Sequence, residues 1–240
     1  MVRELSPQVV LVIQAHPDDA DISSGGTIGK WAREGATITY VVCTSGEAGT
    51  SKPPLLPEQL GTVREQEERE AAKVLGAAEI VFLRHPDGGL HADHTLIGQL
   101  IELILRVRPT VVMTHDPASE RNGHPDHWNA GQAALAAVLA ALNQGYQVEQ
   151  VLLFRSRDPN IAFDISESLD TKLAAIERHR TQRALGEAPP ELVVRWAKEA
   201  GARWGMELAE SFKKLSVTQC EAFINDQSLM SGVAGGTLHP

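Results

Sequence analysis

Val9-Val10-Leu11-Val12-Ile13-Gln14-Ala15-His16-Pro17-Asp18-Asp19 decides the fold class of this chain. The β-branched and aliphatic run over 9–13 reads as a strand buried on both faces. It ends abruptly in His16, Asp18 and Asp19. In open α/β sheets that end of a strand is where ligands bind. The pattern recurs far along the chain. Val111-Val112-Met113-Thr114 leads into His115-Asp116 and then into Gly123-His124-Pro125-Asp126-His127. Two His/Asp clusters, each behind a strand-like run, point to one metal site built from both.

Outward from these stretches, strands and helices alternate. Strands are expected at 9–13, 37–44, 80–83, 110–114, 151–154 and 161–164. Helices are expected at 26–34, 62–75, 95–107, 126–142, 168–183 and 191–204, with Gly76 suited to a C-cap. This order predicts an α/β Rossmann-like three-layer sandwich, a mostly parallel sheet with helices on both faces. Right-handed crossovers place every strand's C-terminal end on one edge, so His16, Ser45, His85 and His115 are expected to face it. The Gly-, Ser- and Pro-rich loop 45–60 is expected to wall the pocket. One domain over 1–240 is expected, with 219–240 a weakly structured tail.

The 240 residues carry a net charge of −9, which argues against a nucleic-acid partner, since phosphate binding needs a basic face. Hydrophobic residues make up 42%, as expected of a folded domain rather than a disordered chain. The two cysteines, Cys43 and Cys220, have no CxxC spacing, and a disulfide framework is not expected. No membrane span and no secretory leader are read, so a cytoplasmic protein is expected.

Catalytic zinc sites use three protein ligands and keep a position for water. His16 and Asp19 are three apart, as are His124 and His127, where Pro125 is pre-set for a first helical turn. One cluster supplies at most two converging groups, so three ligands require both. Zn²⁺ suits imidazole and carboxylate donors; Fe²⁺ and Mn²⁺ suit them with other weights. A leftover carboxylate can take a proton from water, and a leftover imidazole can stabilise a developing oxyanion.

Other features have plainer readings. Ser24-Gly25-Gly26-Thr27 lacks the G-x-G-x-x-G spacing of a dinucleotide cradle and fits close packing beneath the metal turn. The charge run over 62–73 reads as a solvated helix face on which only Arg64 has a claim on the site. His85, His91, His94, His115 and His239 read as hydrogen-bonded residues outside the ligand set. His179 and Gln182 read as a helix's polar face, and Trp196 and Trp204 as packing or a subunit contact.

AHPDDADISSGGTI at 15–28 together with GHPDHWNAG at 123–131 resembles the LmbE-like, or PIG-L, zinc-dependent N-deacetylases. REQEEREAAKVLGAAEIVFLRHPDGGL at 64–90 and KLAAIERHRTQ at 172–182 are similar to further stretches of that family. The resemblance implies an amide hydrolase that removes an N-acetyl group from an amino sugar or its conjugate, working as a homo-oligomer, a trimer or hexamer. It implies His16, Asp19 and His127 as metal ligands, Asp18 as general base and His124 as oxyanion stabiliser. It implies Arg64 and Asp87 as sugar contacts. Asp126, by its closeness in sequence, is expected to orient an imidazole. Several bacterial members have a tyrosine before the second motif where this chain has Asn122. The rival readings are a metal-dependent hydratase of an unsaturated acid on the same fold and a nucleotide-binding module.

Overall fold

In a computed structural model, residues 7–120 and 123–230 are described. Among them, strands β1 (Val9–Gln14), β2 (Thr37–Thr44), β3 (Glu79–His85), β4 (Val111–His115), β5 (Gln150–Phe154), β6 (Ile161–Asp164) and β7 (Ala209–Leu215) form one seven-stranded sheet. Its order is β3-β2-β1-β4-β5-β7-β6. The first five strands are parallel, and β7 runs antiparallel to both β5 and β6. The α/β class and mostly parallel sheet expected from the sequence are therefore present.

The continuous apolar run of β1 is explained by burial on both sides. Leu11 and Ile13 join the core against α3 (His94–Val107) and, beyond the short α4 (Pro117–Glu120), α5 (Pro125–Asn143). Val10 and Val12, pointing the other way, join the core with Ile28 and Trp31 of α1 (Asp19–Arg33) and Ala71 of α2 (Pro57–Val74). The order reverses between β1 and β4, and their C-terminal ends frame the crevice at this switch point.

Two glycines set critical distances. A Cβ on Gly26 would lie 2.8 Å from Ile165, so α1 packs tightly on the segment leading into α6 (Leu169–Ile176). The glycines of 24–27 thus serve packing against that segment rather than beneath the metal turn. A Cβ on Gly131 would lie 2.7 Å from the His115 carbonyl oxygen. Only glycine lets α5 approach β4 so closely, and one turn earlier His127 stacks on His115 with centroids 4.3 Å apart.

Several expectations need correction. The loop after β2 ends at Leu56 because Pro57 opens α2, five residues before the expected start. The helix expected over 168–183 is broken into α6 and a short α7 (Arg180–Arg183). The break turns His179 inward to Asp21, and Glu67 accepts hydrogen bonds from the Thr181 N–H and hydroxyl. β7 was not expected, because Glu210, Lys213 and Lys214 interrupt its apolar pattern. The expected weak tail begins inside α9 (Val217–Met230), where Val217 and Cys220 are buried. Residues 231–240 lie outside the described residues. No helix among the described residues is long and apolar enough to cross a membrane.

Candidate metal centre and catalytic cleft

β1 delivers His16, the first turn of α1 delivers Asp19, and the first turn of α5 delivers His127. His16 Nδ1 lies 3.3 Å from His127 Nε2 and 3.4 Å from Asp19 Oδ2, and His127 Nε2 lies 3.1 Å from Asp19 Oδ1. Ligand atoms around a tetrahedral ion, with bonds of about 2.0–2.2 Å, stand about 3.3–3.6 Å apart. The other nitrogen of each imidazole faces a carboxylate. His16 Nε2 is 3.0 Å from Asp87 and 3.2 Å from Asp126, and His127 Nδ1 is 3.4 Å from Glu120. Carboxylates behind imidazoles are the usual way metal-binding histidines are oriented.

The electrostatics agree. Burial pulls the His16 imidazole down, but Asp126, Asp19 and Asp87 override it and push it up to about 12. His127 is likewise raised to about 9 by Asp19 and Glu120 against its burial. Burial would raise Asp19, yet His127 and His115 hold it well below the ordinary carboxylate range. The carboxylates thus hold positive charge where the donor atoms converge, and a divalent cation fits that charge.

Neighbouring groups are already engaged. His115 Nε2 accepts the Ala15 N–H at 3.2 Å, and burial lowers the imidazole to about 4. It is a hydrogen-bonded residue, as the sequence reading expects, though it also stands 3.4 Å from Asp19. Asp126 accepts from the Gly88 and Leu90 N–H groups, and Asp87 from that of Ala48. His16, His124 and His127 form one set of converging donor atoms, and Asp19, His115 and His127 an overlapping one, in which His115 Nε2 is already engaged by the Ala15 N–H.

Asp18 and His124 border the same cleft of about 480 Å³. Asp18 has φ 94°, a left-handed conformation that non-glycine residues adopt rarely. Its N–H donates to Glu68 Oε2 at 2.9 Å, and Arg64 reaches its carboxylate at 3.3 Å. Burial pushes the Asp18 carboxyl up to about 6, while Arg64 and His179 pull against it. His124 caps α5: its Nδ1 accepts the Asp126 N–H at 3.2 Å. A neutral His124 must then carry its proton on Nε2. Burial, His16 and His127 all lower its pKa, favouring that neutral form.

Residues 11–138 match the family model described as PIG-L, GlcNAc-PI de-N-acetylase. The chain belongs to the PIG-L family. It is 33% identical to a 1D-myo-inositol 2-acetamido-2-deoxy-alpha-D-glucopyranoside deacetylase of Saccharomonospora viridis, over 74% of this chain and 86% of that one. Among solved structures it resembles N,N'-diacetylchitobiose deacetylase from Pyrococcus horikoshii, with TM-score 0.80, 28% identity, and 88% and 85% of the two chains covered. It also resembles the 4-carboxy-2-hydroxymuconate hydratase from Pseudomonas putida, with TM-score 0.74, 25% identity, and 87% and 96% covered.

In this PIG-L chain the two sugar-contact candidates are engaged by the protein. Arg64 borders the cleft but donates to the Pro17 and Gly46 carbonyls at 2.9 and 3.0 Å. Asp87 borders it while facing His16. Asp126, expected to orient an imidazole, lies 3.2 Å from His16 Nε2. Asn122 lies outside the described residues, as does His239.

The sequence reading missed the groups behind the site. Glu67 and Glu68 are buried, so the charge run of α2 is not simply a solvated face. Gln14 donates to Glu68 at 2.6 Å, and Tyr40 and His179 each hold an oxygen of Asp21, at 2.9 and 2.8 Å. His179 is therefore buried rather than on a polar helix face. Burial raises Glu68 to about 8, and Asp21 raises His179 to about 9 against its burial. Glu120 was also overlooked, although it stands only three residues before Gly123 of the second motif. Gln182 donates to the Thr50 carbonyl at 3.2 Å and ties the cleft wall to α7.

Proposed function

We propose that the protein is a zinc-dependent N-deacetylase of an N-acetylated amino sugar or its conjugate. The observation that carries this is the convergence of His16, Asp19 and His127 within 3.1–3.4 Å of one another, with Asp18 in the same cleft. Held there, Zn²⁺ would supply a Lewis-acid charge that eases ionisation of water near neutral pH; Fe²⁺ or Mn²⁺ suits the same donors. The buried Asp18 carboxylate takes the attacking water's proton and passes it to the departing amine. His124 donates its Nε2 proton to the carbonyl oxygen as negative charge develops there. Amide and water become acetate and a free amine. Asp87, Asp126 and Glu120 keep the two imidazoles aimed inward, and Arg64 holds Asp18 and the turn before it.

The likeness to a hydratase supports a second reading, water addition to an unsaturated acid at the same site. Acetate release separates the two. Metal-loaded protein incubated with N-acetylglucosamine and its conjugates is expected to yield acetate and primary amine in equal amounts. Hydration of an unsaturated acid with no acetate from any amide would overturn the deacetylase reading. We also propose a cytoplasmic homo-oligomer, a trimer or hexamer, on the family resemblance; light scattering reads the mass.

A further inference from the structure

The aromatic side chains outside the proposed chemistry differ in where they lie. Trp196 and Trp204 of α8 (Pro190–Trp204) are partly open to solvent and do not line the catalytic cleft. His115, the last residue of β4, is fully buried against the candidate metal centre.

β1 and β4 separate at the switch point. Their paired register covers only Val10–Val12 and Val111–Met113. On its other side β1 stays paired with β2 as far as Gln14, and β4 stays paired with β5 as far as His115. The separation opens the crevice at the C-terminal edge, and it ends the ladder between the two strands. A buried backbone N–H there must find an acceptor elsewhere. His115 supplies one: its Nε2 accepts the Ala15 N–H at 3.2 Å across the gap. The Ala15 carbonyl is held from β2, by the Thr44 N–H at 2.9 Å and the Thr44 hydroxyl at 3.0 Å. The residue directly before His16 is thus fixed by both neighbouring strands.

The same imidazole meets the other two proposed ligands. It stacks on the His127 ring, with centroids 4.3 Å apart and planes 16° from parallel. Its Nε2 stands 3.4 Å from Asp19 Oδ2. Phe154 of β5 packs against the ring at 4.6 Å, nearly at right angles. The other ring nitrogen, Nδ1, is buried with no partner among the described residues. A buried polar atom left unsatisfied is costly. An all-carbon ring would stack in this place without that cost, so the acceptor at Nε2 is what singles out histidine.

We propose that His115 is a positioning residue for the metal centre, a strut between β1 and β4 that sets the spacing of His16, Asp19 and His127 without holding the ion itself. This rests on the reading of those three residues as the metal ligands.

The test is the zinc affinity of the full chain, by competition with a chromophoric chelator, in wild type, His115→Ala, His115→Phe and His115→Gln. The visible spectrum of each cobalt-substituted protein is recorded beside it, because those bands report ligand geometry. His115→Phe keeps the ring stack and loses the acceptor. His115→Gln keeps an acceptor near the place of Nε2 and loses the stack. His115→Ala and His115→Phe are expected to weaken zinc binding about 10- to 100-fold and to shift the cobalt bands. His115→Gln is expected to restore most of the affinity and the wild-type bands. Wild-type affinity and bands in His115→Phe overturn the proposal and leave the ring as packing. A His115→Gln protein as weak as His115→Ala, its loss tracking a lowered melting temperature, overturns it as well. Tight zinc binding by wild type with indifferent variants sinks the proposal alone, whereas no zinc uptake by wild type sinks the metal reading and the proposal with it.

Discussion

Two buried polar clusters lie side by side under the C-terminal edge of the sheet, and they are finished differently. Around Glu68, Asp21 and His179 the carboxylate and imidazole groups close on protein partners: Gln14, the Asp18 N–H, Tyr40 and one another. Around His16, Asp19 and His127 the outer His16 nitrogen faces Asp87 and Asp126 and the outer His127 nitrogen stands 3.4 Å from Glu120, while the inner atoms converge on a common point. Burial of polar groups is costly unless they are satisfied. On the proposed reading the closed cluster is scaffolding, and the open one is the cation site. The contrast separates residues that hold the site from residues that use it.

The largest effects should come from the open cluster. Asp18→Asn is expected to lower kcat by about 10²–10⁴-fold. His124→Ala is expected to cost about 10²–10³-fold, as loss of one oxyanion donor does. Steady-state acetate release reads both, and circular dichroism should show the fold intact. Activity within a few-fold of wild type in both variants would erase the distinction between the clusters.

A substitution in the closed cluster should act in the other order, on stability first. Glu68→Gln keeps the shape but removes one hydrogen bond. It is expected to lower kcat by only about 10-fold, through the loosened Asp18 turn. Its mark should be in the pH dependence of unfolding. Glu68 is raised from 4.5 to about 8 and His179 from 6.5 to about 9. Each binds its proton more tightly in the folded chain. The stability this gives is whole below the unfolded pKa and lost as pH rises through the folded one. Across pH 6.5–9 the wild-type melting temperature should therefore fall, by about 5 °C. Glu68→Gln should flatten that slope. An equally steep slope in the variant would detach Glu68 from the titrating network.

The difference between the clusters also explains what could be read from the sequence. The two His/Asp clusters stand out because they follow apolar runs or open a helix, and period and spacing carry that signal; the choice of His16, Asp19 and His127 among them came from the family resemblance. The alternation of strands and helices was legible for the same reason, from β1 to β5. The closed cluster was hidden because Glu67 and Glu68 sit in a run of charges, and nothing local tells which of them turn inward. That choice is made by α7, more than a hundred residues on, whose Thr181 meets Glu67. β7 escaped notice for a similar reason: Glu210 is buried only because Lys172 and the start of α1 lie opposite. Ion pairing across the fold does not show in local hydropathy. Asp87 and Asp126 were singled out, yet their shared position behind His16 required the topology that brings the β3 loop and α5 together.

The central claim is that residues from both ends of the family-matching region grip one cation. Elemental analysis of the purified protein after zinc reconstitution, alongside Asp19→Ala and His127→Ala, tests it most directly. The account predicts about one mole of zinc per wild-type chain, with most of it lost in each variant while the fold persists. Less than about 0.1 mole in wild type, or zinc content unchanged in both variants, would contradict it.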